Sequence, residues 1–341
     1  MRSHGSAGAT RTGSASAAAP RAAPRRGTAM PPRSSPAAAA SARISSPAAD
    51  WISDNLGSGY VVREKFMGGS GWSSTYVYTT EGGKDYFVKT SGGTKAEGMF
   101  KGEQLGLSAM GATRSVRVPE VFHVGTLAAG RGAFIVMEAL RLGGSPDQEA
   151  LGRAVAAMHL APPADPSAAA GLFGFGADNT IGATPQPNGW MDDWVGFYRE
   201  RRLRHQLNLL GDARMTALAK PVLDNLGFWF TDVEGAIKPS ILHGDLWSGN
   251  IASADGRPTI FDPATYYGHA EAEWGMSWCA GFTGSFWRGY FDVAPKAPLF
   301  EKRRDLYTLY HILNHANLFG GGYNGQAQSI LQRLNEQLSR G

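Results

Sequence analysis

Asp245, Asn250 and Asp262 are the residues whose types and spacing suit them to chemistry. They sit in Ile241-Leu242-His243-Gly244-Asp245-Leu246-Trp247-Ser248-Gly249-Asn250 and in Thr259-Ile260-Phe261-Asp262. Each stretch opens on an apolar run that reads as a short strand and ends in a loop. An acid, an amide oxygen five residues on and a second acid are the parts that phosphoryl transfer from a nucleotide requires. One carboxylate orients the attacking hydroxyl and accepts its proton, and two oxygen ligands hold Mg²⁺ against the phosphates. A lone His-Gly-Asp would fit a plain surface turn equally well. The full spacing, with Asp262 at the end of a second apolar run, favours phosphoryl transfer.

The elements that must position these groups lie upstream. Residues 60–66, 75–80 and 85–89 read as three strands, with Gly68-Gly69-Ser70-Gly71 in the first turn. A glycine-rich hairpin lets backbone N–H groups approach phosphates, although this one matches neither common nucleotide-binding glycine pattern. Lys89 closes the third strand as Phe-Val-Lys, which resembles the phosphate-binding lysine of kinases. A helix over about 95–110 should follow. Its Glu103, a full turn or more inside, is the expected partner of Lys89, and Glu97 a first-turn acid that complements the helix dipole. Residues 118–125 and 133–140 read as two further strands, so that Met137, Glu138, Ala139 and Leu140 would form a nucleotide-binding hinge. His159 is expected to be a helix-end or buried structural histidine, residues 174–190 a long polar loop, and the Arg-rich face of 193–210 a solvated one.

Composition bounds the rest. The chain has 341 residues, 43 % apolar and 18 % charged, enough for two lobes with a large core. Cys279 is the only cysteine, which excludes an intrachain disulfide and a Cys-based zinc cluster. It falls in an apolar stretch and is expected to be buried and inert. No apolar run approaches the ~20 residues of a membrane helix. Residues 1–49 hold seven Arg and no Lys, Asp or Glu, and removing them leaves 26 basic against 29 acidic residues. The net charge of +4 thus belongs to the tail, and no nucleic-acid surface is read from it. A tail rich in Arg, Ser and Ala and free of acids is the pattern of an organelle transit peptide, with chloroplast favoured over mitochondrion. The expected organisation is a disordered segment 1–49, a first lobe 50–141 and a second lobe 142–341, as a monomer.

With these residues assembled, the chain resembles the fructosamine kinase (ketosamine 3-kinase, protein-ribulosamine 3-kinase) family, of plant or algal type. The residues that carry the resemblance are Gly68–Gly71, Phe87-Val88-Lys89, Phe100-Lys101-Gly102-Glu103, Asp178-Asn179-Thr180-Ile181-Gly182 and Thr184-Pro185-Gln186-Pro187-Asn188-Gly189-Trp190. His243–Asn250, the run from Phe261 to His269 and the closing run from Tyr310 to Tyr323 complete it. The resemblance implies an α+β, bilobal protein-kinase-like fold, with an antiparallel sheet in the first lobe and a mainly helical second lobe. It implies ATP and Mg²⁺, and as acceptor the 3-hydroxyl of a ketosamine on the lysines of glycated proteins. It also implies Asp245 as the base, Asn250 and Asp262 as metal ligands, Lys89 with Glu103 as the phosphate clamp, and Trp247 stacked on the sugar. A small-molecule kinase of the aminoglycoside or choline type and an ATP-binding pseudokinase are the alternatives. Gly71 stands where the family commonly has Cys. Ala270 and Glu273 stand where it usually has Arg and Asp, and Trp274 replaces a smaller aliphatic residue. The Arg and Asp changes are expected to weaken the polar contacts of that segment beneath the site.

Overall fold

Ser46 starts the folded chain: its hydroxyl accepts from Ala49 N and caps helix α1 (Pro47–Asn55), with Pro47 in the first turn. The computed structural model describes residues 42–127 and 130–340. Ala48, Ala49 and Ile52 are buried on one face of α1, and Ile44 N donates to Val61 O at 2.8 Å. The boundary expected after residue 49 therefore cuts through a packed helix and needs correcting. Residues 42–49 belong to the folded unit, while the transit peptide expected before them lies outside the described residues.

The five strands of the first lobe form one antiparallel sheet in the order β1-β2-β3-β5-β4. They are β1 (Val61–Gly69), β2 (Ser74–Thr80), β3 (Asp85–Ser91), β4 (Val121–Thr126) and β5 (Ala133–Glu138). Their alternating Val, Tyr and Phe residues bury one face against α1 through Val61, Tyr78, Val88 and Phe134. Helix α2 (Ala96–Ala112) lies against the other face through Phe100. Gly102 and Gly106, one turn apart, let α2 approach the second lobe closely. A Cβ built at either would come within 2.6 Å of Asn179 or Thr265.

The second lobe is mainly helical. It begins with α3 (Gln148–Leu160), capped by Asp147, and α4 (Pro166–Ala169), a single helical turn capped by Asp165. The long polar loop contains a small hairpin, β6 (Asn179–Ile181) and β7 (Thr184–Gln186), with Asn179, Gln186 and Asn188 buried. Helices α5 (Trp194–Phe197) and α6 (His205–Leu210) are joined by a π-helical segment, Tyr198–Arg204. The π segment carries Arg202 into the core, where it is fully buried over the Tyr266 ring at 3.9 Å. The solvated Arg face is thus corrected at that position. Helix α7 (Ala213–Asp224) leads to β8 (Ser240–Leu242), β9 (Ile251–Ala254), β10 (Arg257–Ile260) and β11 (Tyr266–Gly268), which pair as β8–β11 and β9–β10. A 3₁₀ turn (Ala270–Met276), α8 (Ser277–Ala280), α9 (Gly284–Val293), α10 (Phe300–Phe319) and α11 (Gly322–Ser339) close the fold. Arg303 of α10 is buried between Glu271 and Asp232 at 2.7 and 2.5 Å.

A chain begun at Asp50 should melt several degrees below one begun at Ala42. It loses a cap worth ~1 kcal/mol and the burial of two alanines, at roughly 2–4 °C per kcal/mol. Calorimetry on the two chains measures this, and equal melting temperatures would contradict the packed role of residues 42–49.

Candidate active site

The loop that carries Asp245 is built on backbone constraints. β8 is buried throughout and pairs with β11, which delivers His243 to the end of a rigid strand. Gly244 has φ +81°, and a Cβ there would meet Ala264 O at 2.2 Å, so this turn admits only glycine. Buried His243 donates from Nε2 to Phe261 O (2.9 Å) and accepts the Asp245 N–H at Nδ1 (3.2 Å). One imidazole thereby ties the Asp245 loop to the segment before Asp262. Burial holds its pKa below the usual value, which keeps the ring neutral for this pair of bonds.

Asn250 donates from Nδ2 to the main-chain carbonyls of Asp245 (2.9 Å) and Asp262 (3.2 Å). Its Oδ1 is the end left for a cation. Asp262 has φ +60°, a left-handed conformation uncommon outside glycine, and its Oδ1 accepts from Lys89 Nζ at 2.8 Å. Lys89 also donates to Glu103 at 2.7 Å. Burial alone would lower the Lys89 ammonium, but the Asp262 and Glu103 carboxylates outweigh it and hold the pKa above its ordinary value. Glu97 instead pairs with Lys101 on the surface at 3.3 Å. Burial, then the charges of Asp262 and Glu273, push the Asp245 carboxyl up to about 7. That is a suitable value for a general base.

These groups face one cavity of about 350 Å³, lined by Gly68, Gly69, Ser70, Lys89, Glu103, Asp245, Trp247, Asn250 and Asp262. The Trp247 ring rests over Gly249 and is 40 % exposed. Gly71 does not line the cavity; it sits exposed at the tip of the loop with open space around its Cα. Nor do the expected hinge residues Met137, Glu138, Ala139 and Leu140. Met137 is buried in the sheet, and the Glu138 carboxylate is taken up by Arg117. Among the described residues, no cluster of three or more His, Cys, Asp or Glu suits a metal. Asn250 and Asp262 both line the cavity, and an amide and a carboxylate oxygen suit a hard divalent cation of the kind that takes one or two protein ligands and completes its shell with phosphate oxygens.

The sequence named several residues around the site without the contacts that make them supports. Glu273 is 1 % exposed and accepts from His243 N (2.7 Å), Gly244 N (2.9 Å) and His159 Nε2 (3.2 Å). His159 is in turn held by Tyr290 Oη at 2.9 Å. The glutamate thus anchors the loop, contrary to the weakened contact expected there. Trp274 packs among Phe282, Phe286, Trp287 and Tyr290. On the other side, Asn179 donates to Thr265 O (2.8 Å) and Gln186 to Ala264 O (3.0 Å), while Asn188 links Asn179 to Arg202. Cys279 is half-buried in α8 rather than fully buried. Burial and the Asp245 charge push its thiol up to about 11, so it stays protonated and unreactive.

Lys89 reaches Asp262 because the sheet folds down over the helical half, and that arrangement defines the protein-kinase-like class of phosphotransferases. Comparison with known proteins narrows the class. The chain belongs to the fructosamine kinase family, whose profile matches residues 45–337. It is 49 % identical over 292 residues to a chloroplastic protein-ribulosamine 3-kinase of Oryza sativa subsp. indica, covering 84 % of this chain and 82 % of that one. The Arabidopsis thaliana protein of the same description is 46 % identical, over 84 % of this chain and 86 % of its own. A solved putative fructosamine-3-kinase of Thermobifida fusca superposes with a TM-score of 0.72 at 28 % identity, covering 85 % of this chain and 99 % of the other.

Because Asp245 must be ionised to accept a proton and its carboxyl is raised to about 7, kcat/KM should fall as pH drops through that value, by about tenfold per unit below it. Glu273→Gln removes one of the charges that raise it, so the acidic limb should move to lower pH. A pH–rate profile of both proteins measures this; an unmoved limb would remove Glu273 from the electrostatics of the base.

Proposed function

We propose that this chain is an ATP-dependent kinase that phosphorylates the 3-hydroxyl of ketosamines, ribulosamine or fructosamine, on the lysines of glycated proteins. The phosphorylated adduct is unstable and leaves the lysine, so the reaction repairs the protein. The observation that carries the proposal is the convergence of Lys89, Asp245, Asn250 and Asp262 on one cavity in a chain of this family. In this reading Asp245 accepts the proton of the 3-hydroxyl, and Trp247 offers its exposed face to the sugar. Lys89, aimed by Glu103, meets the nucleotide phosphates, and Gly68, Gly69 and Ser70 bring backbone N–H groups over them. Asn250 and Asp262 would hold Mg²⁺, which would supply positive charge to the nucleotide phosphates. An ionisable base beside the metal ligands favours an enzyme over a nucleotide-binding pseudokinase, which has no use for one. The acid-free tail and the chloroplastic relatives support a chloroplast address. Among the described residues no helix is long and apolar enough to cross a membrane.

Asp245→Asn and Asp262→Ala should fail differently. Asp245→Asn should leave ATP·Mg²⁺ affinity within a few-fold and lower turnover by ~10²–10⁴-fold, whereas Asp262→Ala should remove both. Calorimetric ATP titration paired with turnover of lysine-linked ribulosamine and fructosamine measures this. Wild-type protein that bound ATP and phosphorylated neither ketosamine would refute the proposal, and full turnover by Asp245→Asn would reassign the base.

A further inference from the structure

A modified lysine enters the cavity as a side chain, and its four-carbon stem is short. The polypeptide that bears it must then lie on the surface at the cavity mouth. Two contacts locate that surface. Leu318, near the end of α10, lies beside the lining residue Gly182: a Cβ built on Gly182 would meet Leu318 Cδ1 at 3.2 Å. On the other side, α8 packs on the turn Ser248–Asn250 that follows Trp247.

A continuous aromatic row joins these two places. Trp278 of α8 meets His315 of α10 edge-on at 6.0 Å, and His315 stacks on Phe319 at 5.7 Å and on Tyr323 of α11 at 5.0 Å. Trp278 is 49 % and Phe319 58 % exposed. Single exposed apolar side chains are ordinary, but a contiguous aromatic row beside a catalytic cavity marks an interaction surface. From Trp278 a groove continues between α10 and α11. Gly322 and Gly325 line it, with open space where their side chains would be. Arg333 is the one charged residue among those lining this groove, and Asp305 already engages it through two bonds of 2.8 Å. The row thus offers ring faces, and the groove, which it meets at Trp278, offers room for a backbone with no free charge among its lining residues to select a phosphate or a nucleic acid.

We propose that the aromatic row and this groove dock the polypeptide segment flanking the modified lysine, in extended form and with apolar neighbours against Trp278 and Phe319. This rests on the ketosamine reading and names the partner of that same site. It predicts that the enzyme separates substrates by what carries the sugar. A peptide adduct gains the aromatic contacts, while the free amino-acid adduct uses the cavity alone.

The test measures KM and kcat for two substrates: a short apolar-flanked peptide with one Nε-ribulosyl-lysine, and free Nε-ribulosyl-lysine. The proteins are wild type and the double variant Trp278→Ala/Phe319→Ala, whose changes are at exposed positions. The expected result is a peptide KM raised about tenfold with kcat unchanged, and an unchanged KM for the free adduct. An unchanged peptide KM, or equal losses on both substrates, would overturn the docking surface and leave the ketosamine reading standing. A wild-type dimer that the double variant dissolves, with no change in peptide KM, would assign the surface to a second copy of the chain and overturn it as well. Wild-type protein inactive on both substrates would refute the ketosamine reading, and the docking surface with it.

Discussion

A lysine ammonium taken out of water persists only beside negative charge, and here that requirement joins the two halves of the molecule. Lys89 comes from the sheet, Glu103 from the helix beneath it and Asp262 from the helical lobe. No two of these are neighbours in the chain, so the ion pairs form only when β3, α2 and the segment after β10 are all in place. The close approach at Gly102 and Gly106 serves the same end: it brings the helix that carries Glu103 onto the lobe that carries Asp262.

Around that link, the reactive loops are held from both sides by buried polar groups that have partners. Glu273 receives two backbone N–H groups and an imidazole on one side. The Asn179–Gln186–Asn188–Arg202 network donates to the carbonyls of residues 264 and 265 on the other. Buried bonds of this kind restrict the loops they hold, and a catalytic constellation needs such rigidity in its supports. The glycine-rich turn and the Trp247 ring, by contrast, stay accessible. They are the parts that must meet ligands of differing shape.

The local features were legible in the sequence. Period-two apolar runs marked the strands of the sheet, and the Phe-Val-Lys of β3 with a glutamate well inside the next helix marked the Lys89–Glu103 contact. Three things were not legible, each for a physical reason. Ala48 and Ala49 have the composition of the tail before them, so nothing local separates a buried helix face from low complexity. The inward turn of Arg202 depends on a π segment, whose changed winding breaks the ordinary helical spacing from which a solvated face is inferred. Glu273 depends on partners about thirty residues away, and an extra methylene looked like a loss until the atoms it reaches were known.

The backbone of Asp262 has an evolutionary consequence. A non-glycine residue at φ +60° costs about 1–2 kcal/mol, and glycine or asparagine would relieve part of it. Either replacement would also remove the carboxylate that compensates buried Lys89, and stranding one partner of a buried ion pair costs more than the backbone strain it relieves. Aspartate is therefore held at this place by the fold as well as by the chemistry. In a lineage that abandoned the reaction, this residue would outlast its catalytic use, because the two lobes would still need its charge.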